Sequence, residues 1–108
     1  MRKYELRIYT LDSPAALEQF STVNYPRHLD SFPTFGIQPE GFFRAADPAN
    51  PKLYVLVSFD EDADPAQIGA EFMRSPELAR DLEGFDHQSH IVRVESIELR
   101  PTPGSPLS

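Results

Sequence analysis

Cysteine is absent from the 108 residues, and so is tryptophan. The first absence removes disulfides, thiolate nucleophiles, iron–sulfur clusters and cysteine-bound zinc together, and it leaves the redox state of the compartment unconstrained. Nothing approaches the roughly 18 consecutive apolar residues of a membrane span. The opening MRKYELRIY alternates charged with apolar residues, where a signal peptide has an unbroken apolar stretch. Basic residues are few and scattered, ten Lys and Arg against seventeen Asp and Glu, for a net charge of −7. A phosphate-tracking surface needs a stripe of Lys and Arg, so nucleic acid is not an expected partner, and neither is an anionic membrane. The expectation is a soluble, cytoplasmic protein. Dinucleotide, P-loop, nucleophile-elbow and H-E-x-x-H signatures are also missing, and no couple of carboxylates supports hydrolase chemistry.

What remains suits one domain with a single core, since 40% of the residues are apolar. KYELRIYTL, residues 3–11, reads as a strand with Tyr4, Leu6 and Ile8 on one face and Glu5, Arg7 and Tyr9 on the other. Ser13 and Pro14 open a helix with Ala16, Leu17, Phe20 and Val23 inward, which Pro26 kinks or ends. RHLDSFPTFG follows as a second helical piece with Leu29 and Phe32 inward. GFFRAA, residues 41–46, is the second strand, DPANP a turn, and KLYVLVSFD, residues 52–60, the third strand. Asp64 and Ser75 cap two helical pieces carrying Ile68, Phe72, Leu78, Leu82 and Phe85, with Gly84 as a stop. SHIVRVESIELR, residues 89–100, is the fourth strand, with an irregularity near Glu95 and Ser96.

The order β-α-β-β-α-β defines an α+β, ferredoxin-like fold: a four-stranded antiparallel sheet with the helices on one face. The third strand is apolar on both faces, with Leu53, Val55, Val57 and Phe59 alternating with Tyr54, Leu56 and Ser58. Helices cover one face only. A second copy of the chain packed on the other face accounts for this pattern, so the protein is expected to be a homodimer joined through the sheet. Residues 1–100 form the domain, and the proline-rich 101–108 an extended arm placed to cross the partner subunit.

YELRIYTL at the start, GFFR before a turn and an apolar strand, and LRPTPGSPL at the end resemble the NIPSNAP family over nearly the whole chain, Tyr4 to Leu107. The resemblance implies the dimeric α+β barrel superfamily, the architecture reached above. That superfamily contains cofactor-free monooxygenases, haem-degrading enzymes and small-ligand sensors, so fold alone does not decide function.

Several residues carry candidate chemistry. Glu5, Arg7 and Tyr9 share a face aimed into a dimer interior, either as a polar cluster orienting a ligand or as an ion pair setting dimer register. His28 stands over an apolar cleft if the helix runs through Pro26, where it is an acid–base group, an axial haem ligand or a histidine bonded to backbone. Arg44, beside Phe42 and Phe43, is placed to hold the carboxylate of a small acid or to form a surface ion pair. His87 and His90 lack a third ligand, and at a strand mouth residues three apart diverge, so no metal site is expected. Asp60, Asp62, Asp64 and Glu71 mimic a calcium loop, but Pro65 stands where a sharp turn needs glycine. The reading is a homodimer that binds a small apolar molecule or a protein partner, with neither a catalytic centre nor a cofactor. The alternative is a cofactor-independent monooxygenase acting on an aromatic substrate, with His28 and Tyr54 or Tyr9 near the reacting carbon.

Overall fold

The computed structural model describes residues 1–108. Four strands, β1 (Lys3–Leu11), β2 (Gln38–Arg44), β3 (Lys52–Phe59) and β4 (Ile91–Leu99), form one antiparallel sheet in the order β2-β3-β1-β4. Between β1 and β2 runs a helical segment that begins as α1 (Pro14–Gln19) and passes through α2 (His28–Ser31). Between β3 and β4 lie α3 (Pro65–Met73), α4 (Pro76–Asp81) and the single turn α5 (His87–His90). The chain is α+β with the ferredoxin-like element order.

Helix starts follow the capping chemistry in the sequence. The side chains of Ser13, Asp64 and Ser75 accept from the backbone N–H groups of Ala16, Gln67 and Leu78, each with proline in the first turn. The 14–35 segment differs from expectation in its middle. Pro26 does not end it; instead, the chain widens into a π turn over Phe20–Asn24 and tightens to a 3-10 turn over Tyr25–Arg27. The wider turn rotates the inward stripe, so Asn24 rather than Val23 is buried, and His28 rather than Leu29. Val23 and Leu29 face outward. Gly36, at φ 78°, then takes the left-handed conformation that closes the segment.

Cross-strand register settles which residues share a face. Glu5, Arg7 and Tyr9 stand opposite Val57, Val55 and Leu53. Those three join Phe20, Tyr25, Phe32, Phe72 and Phe85 in one core between sheet and helices. The Glu5–Arg7–Tyr9 face therefore points at the helices and not, as expected, toward a dimer interior. Tyr54, Leu56, Leu6 and Ile8 occupy the opposite, open face, joined by Phe43 and Ile97, which are 59% and 46% exposed.

Four further expectations change. The second strand starts at Gln38 and ends at Arg44, with Glu40 an extra residue where its register against β3 shifts. The fourth starts at Ile91, because Asp86 caps a helical turn that takes up His87–His90. Its irregularity falls at Val92, where the register steps between Thr10 and Leu11; Glu95 and Ser96 pair regularly with Ile8 and Arg7. The 101–108 stretch is not extended. Gly104, at φ 82°, turns it so that Ser105 donates to the Thr102 carbonyl at 3.0 Å, and Thr102, Ser105 and Leu107 line a groove with Tyr4, Leu56 and Leu99 of the same chain.

Candidate functional site

A cavity of about 350 Å³ lies between the sheet and the helices, within the roughly 300–1,000 Å³ typical of small-molecule sites. β1 supplies Arg7 and Tyr9, the segment around the π turn supplies Tyr25 and His28, and α4 with the residue that follows it supplies Leu78 and Leu82. A second chamber of about 230 Å³ shares Arg7, Phe32 and Phe72 with the first and adds Glu5. Arg7 thus stands at the junction of the two.

The Arg7 guanidinium is the cationic centre of the site. Its Nε lies 3.2 Å from Glu5 Oε1 but makes no hydrogen bond, and it is buried. The Arg7 Cζ sits 5.7 Å from the centre of the Tyr9 ring. Burial pulls the guanidinium pKa down, but Tyr9, Tyr25 and Glu5 outweigh it and hold it above its ordinary value. Tyr9 and Tyr25 share a hydrogen bond between hydroxyls at 3.1 Å. Burial pushes the Tyr25 hydroxyl well above its usual pKa, with Tyr9 adding to the effect and Arg7 opposing it. Tyr25 therefore keeps its hydroxyl proton at physiological pH.

His28 forms the other pole. Its Nδ1 lies 2.7 Å from Asp81 Oδ2, and both side chains are only 4% exposed. An ionised carboxylate only accepts, so Nδ1 carries the proton and Nε2, which has no hydrogen-bond partner, presents a lone pair. Tyr25 and Phe72 pack edge-on to the imidazole and Phe32 stacks on it at 4.8 Å between ring centres. Burial lowers the His28 pKa below the ordinary 6.5, while the bond and charge of Asp81 oppose that fall. The ring is neutral at physiological pH.

Asp81 is held from behind. Asn24 Nδ2 donates to the carbonyls of Asp81 and Glu83 at 3.1 and 3.0 Å, and Arg27 Nη1 donates to the same two at 3.1 Å each. These side chains satisfy carbonyls that the end of α4 leaves unpaired, and Arg27 places positive charge where the helix dipole favours it. The π turn is what brings Asn24 inward to make these bonds.

His28, Tyr9, Arg7 and Glu5 are thus brought together, but around an intrachain cavity. Tyr54 is not part of the group: it lies on the open face, beside Ile8 and Phe43, with the sheet between it and His28. Arg44 stands at the sheet edge in an exposed ion pair with Glu18, away from the cavity. His87 lines the cavity, whereas His90 turns to Asp12 at 3.0 Å. Asp81, Tyr25 and Asn24 had no place among the sequence candidates. Asp81 was legible in principle, because it follows Leu78 by three residues on the inward stripe of α4, where an unpaired carboxylate is costly.

A sheet of this order with its helices on one face, holding an apolar cavity at whose wall a half-buried arginine stands, defines a single-domain α+β protein of ferredoxin-like plan. The chain matches the NIPSNAP family over residues 4–106 and belongs to it. Among solved structures it is similar to an uncharacterized NIPSNAP-like domain protein from Burkholderia xenovorans (23% identity, TM-score 0.75, covering 97% of this chain and 89% of that one). It is also similar to a protein from Agrobacterium tumefaciens (21%, 0.78, 98% and 99%) and to a NIPSNAP family protein of the same organism (17%, 0.73, all of both chains). At these identities the likeness establishes the fold. No curated protein matches the chain. No helix is long and apolar enough to cross a membrane. Nothing in these comparisons supports the monooxygenase alternative.

Proposed function

We propose that this NIPSNAP protein binds a small, mostly apolar carboxylic acid in the cavity between sheet and helices, and that it does so as a homodimer joined through the open sheet face. The observation that carries the binding reading is Arg7: a half-buried guanidinium whose Nε is fully buried and has no hydrogen-bond partner, at the wall of a cavity otherwise lined mainly by aromatic and aliphatic side chains. A guanidinium whose buried Nε lacks an acceptor, set among apolar side chains, gains from a bound carboxylate, since charge-assisted hydrogen bonds strengthen as water is displaced. Apolar walls supply affinity, and the single cation sets orientation.

The homodimer reading rests on the face holding Leu6, Ile8, Phe43, Tyr54, Leu56 and Ile97. Arg93 and Glu95, paired with each other at 3.2 Å, lie along β4 on that same face. Neighbouring opposite charges beside an apolar centre are self-complementary under a two-fold axis, which sets Arg93 of one copy against Glu95 of the other.

Calorimetric titration with hydrocinnamate and with its uncharged amide tests the binding reading. The acid is expected to bind with one site per chain and about tenfold more tightly than the amide, a difference of about 1.4 kcal/mol. Equal affinity for the two removes Arg7 from the reading, and no binding of either removes the reading itself.

A further inference from the structure

The cavity holds more than an anion site needs. Hydrophobic walls and Arg7 suffice to bind an acid, yet His28 is also present, tied through Nδ1 to a buried carboxylate and with Nε2 free. Tyr25 stands between these two poles. Its ring centre is 4.6 Å from that of His28, and its hydroxyl carries the bond to Tyr9, over whose ring Arg7 lies.

We propose that this cavity catalyses proton transfer on a small carbonyl acid, with the Nε2 of His28 taking a proton from the carbon next to the carbonyl, Asp81 positioning the imidazole, and Arg7 and Tyr25 stabilising the enolate. This rests on the binding reading above. In the step, the C–H bond breaks and its electron pair becomes the C=C bond of an enolate, with the negative charge on the former carbonyl oxygen. The proton moves to Nε2 and makes an imidazolium, whose charge Asp81 balances. Returning the proton to the same carbon, to a carbon further along or to the oxygen gives racemisation, isomerisation or tautomerisation. No electrons enter or leave, so no oxidant, reductant or cofactor is required.

Other reaction classes find no residues here. The larger chamber is lined by no Ser, Thr or Lys and no carboxylate, and the chamber beyond Arg7 adds only Ser96 and a single carboxylate, Glu5, paired with Arg7. This leaves glycoside hydrolysis without its acid pair and His28 without a nucleophile beside it in the larger chamber. Its titratable members are Arg7, Tyr9, Tyr25, His28 and His87. Of these, only His28 combines a neutral imidazole with an orienting carboxylate, the arrangement a general base requires. Asp81 lies behind the ring, so it acts as a positioning residue.

The test uses phenylpyruvate in heavy water. Proton NMR follows loss of the methylene signal as deuterium replaces hydrogen, while saturation-transfer difference spectra of the same sample report binding. Exchange is expected about a hundredfold or more above the buffer rate, the usual scale of general-base catalysis. His28→Gln abolishes this enhancement and still binds. Asp81→Asn, which keeps the shape of the carboxylate, lowers the rate and moves the acid limb of the rate–pH profile to lower pH, because the Asp81 charge favours the imidazolium. The groups facing His28 in that titration are Asp81 from α4, Tyr25 from its own segment, and Arg7 and Tyr9 from β1. Binding without exchange overturns the catalytic proposal and leaves the binding reading standing. Exchange that survives His28→Gln, or is lost in His87→Gln alone, places the base elsewhere and overturns it too. Neither binding nor exchange overturns both readings.

Discussion

His28 Nδ1 and Asp81 Oδ2 meet at 2.7 Å although 53 residues separate them in the chain. One comes from the segment after β1, the other from the last residue of α4, so this bond ties the two helical connections to each other above the sheet. It also gives the fold a dependence on pH with a definite sign.

Unfolded, the His28 imidazole takes up a proton near pH 6.5; folded, burial delays that uptake to lower pH. Across this window the unfolded chain holds more protons, so stability rises with pH. The contribution is whole above 6.5 and is lost as pH falls through the folded value. Urea denaturation between about pH 8 and pH 5, a range above ordinary carboxylate titration, is expected to show a falling midpoint for the native chain and a flatter profile for His28→Gln. Parallel profiles would contradict the assignment.

Asn24→Ala removes the two hydrogen bonds that hold the carbonyls of Asp81 and Glu83. Leaving such buried acceptors short of a donor costs roughly 1–3 kcal/mol. Arg27 continues to serve both carbonyls, so the lower half of that range is expected from urea unfolding. A change under about 0.5 kcal/mol, the scale of a neutral surface substitution, would show that Asn24 does not anchor α4.

Glu5→Gln leaves Arg7 without its only ionic partner in the sheet. The guanidinium then gives its charge undivided to a bound carboxylate, and hydrocinnamate is expected to bind three- to tenfold more tightly, about 0.7–1.4 kcal/mol. Arg7→Gln works the other way and weakens the acid while sparing the amide. Weaker acid binding in Glu5→Gln would mean that Glu5 positions Arg7 rather than competing for it.

Leu56→Glu and Ile97→Glu each place a charge on the open sheet face, Leu56 at the centre of the sheet and Ile97 on the edge strand. Burying an unpaired carboxylate costs several kcal/mol, so sedimentation equilibrium is expected to find the native chain dimeric and both variants monomeric. Removing residues 101–108 uncovers Tyr4 and Leu56 at the groove they share with Leu107, and it is expected to weaken association. A native monomer, or variants that remain dimers, would contradict the homodimer.

Much of the architecture was legible because it depends on short-range patterns. Period-two alternation marked β1 and β3, and hydroxyl or carboxylate caps before proline marked three helices. The double apolar face of β3 announced that the sheet is covered on one side by helices and offered on the other. The site was harder to read, because its geometry turns on one extra residue in a helical turn. With Pro26 taken as a break, Val23 and Leu29 face inward and the facing of His28 is left open. The π turn instead brings Asn24 and His28 to the core together, and nothing local signals that choice, because it is settled by packing against α4. The facing of Arg7 was missed for a related reason. Charged residues on one side of a strand normally mark its exposed face, whereas here Glu5 pairs with Arg7 under the helices. Asp81 became meaningful only once His28 was beside it.

The central claim is that an acid sits in the cavity against Arg7, and the most direct measurement is a crystal structure of the protein soaked with para-bromohydrocinnamate, located by the anomalous signal of bromine. The account predicts bromine among the aromatic side chains between sheet and helices, and the carboxylate within hydrogen-bonding distance of the Arg7 guanidinium. Bromine confined to the outer sheet face or the groove beside Leu107, with the cavity empty, would contradict it.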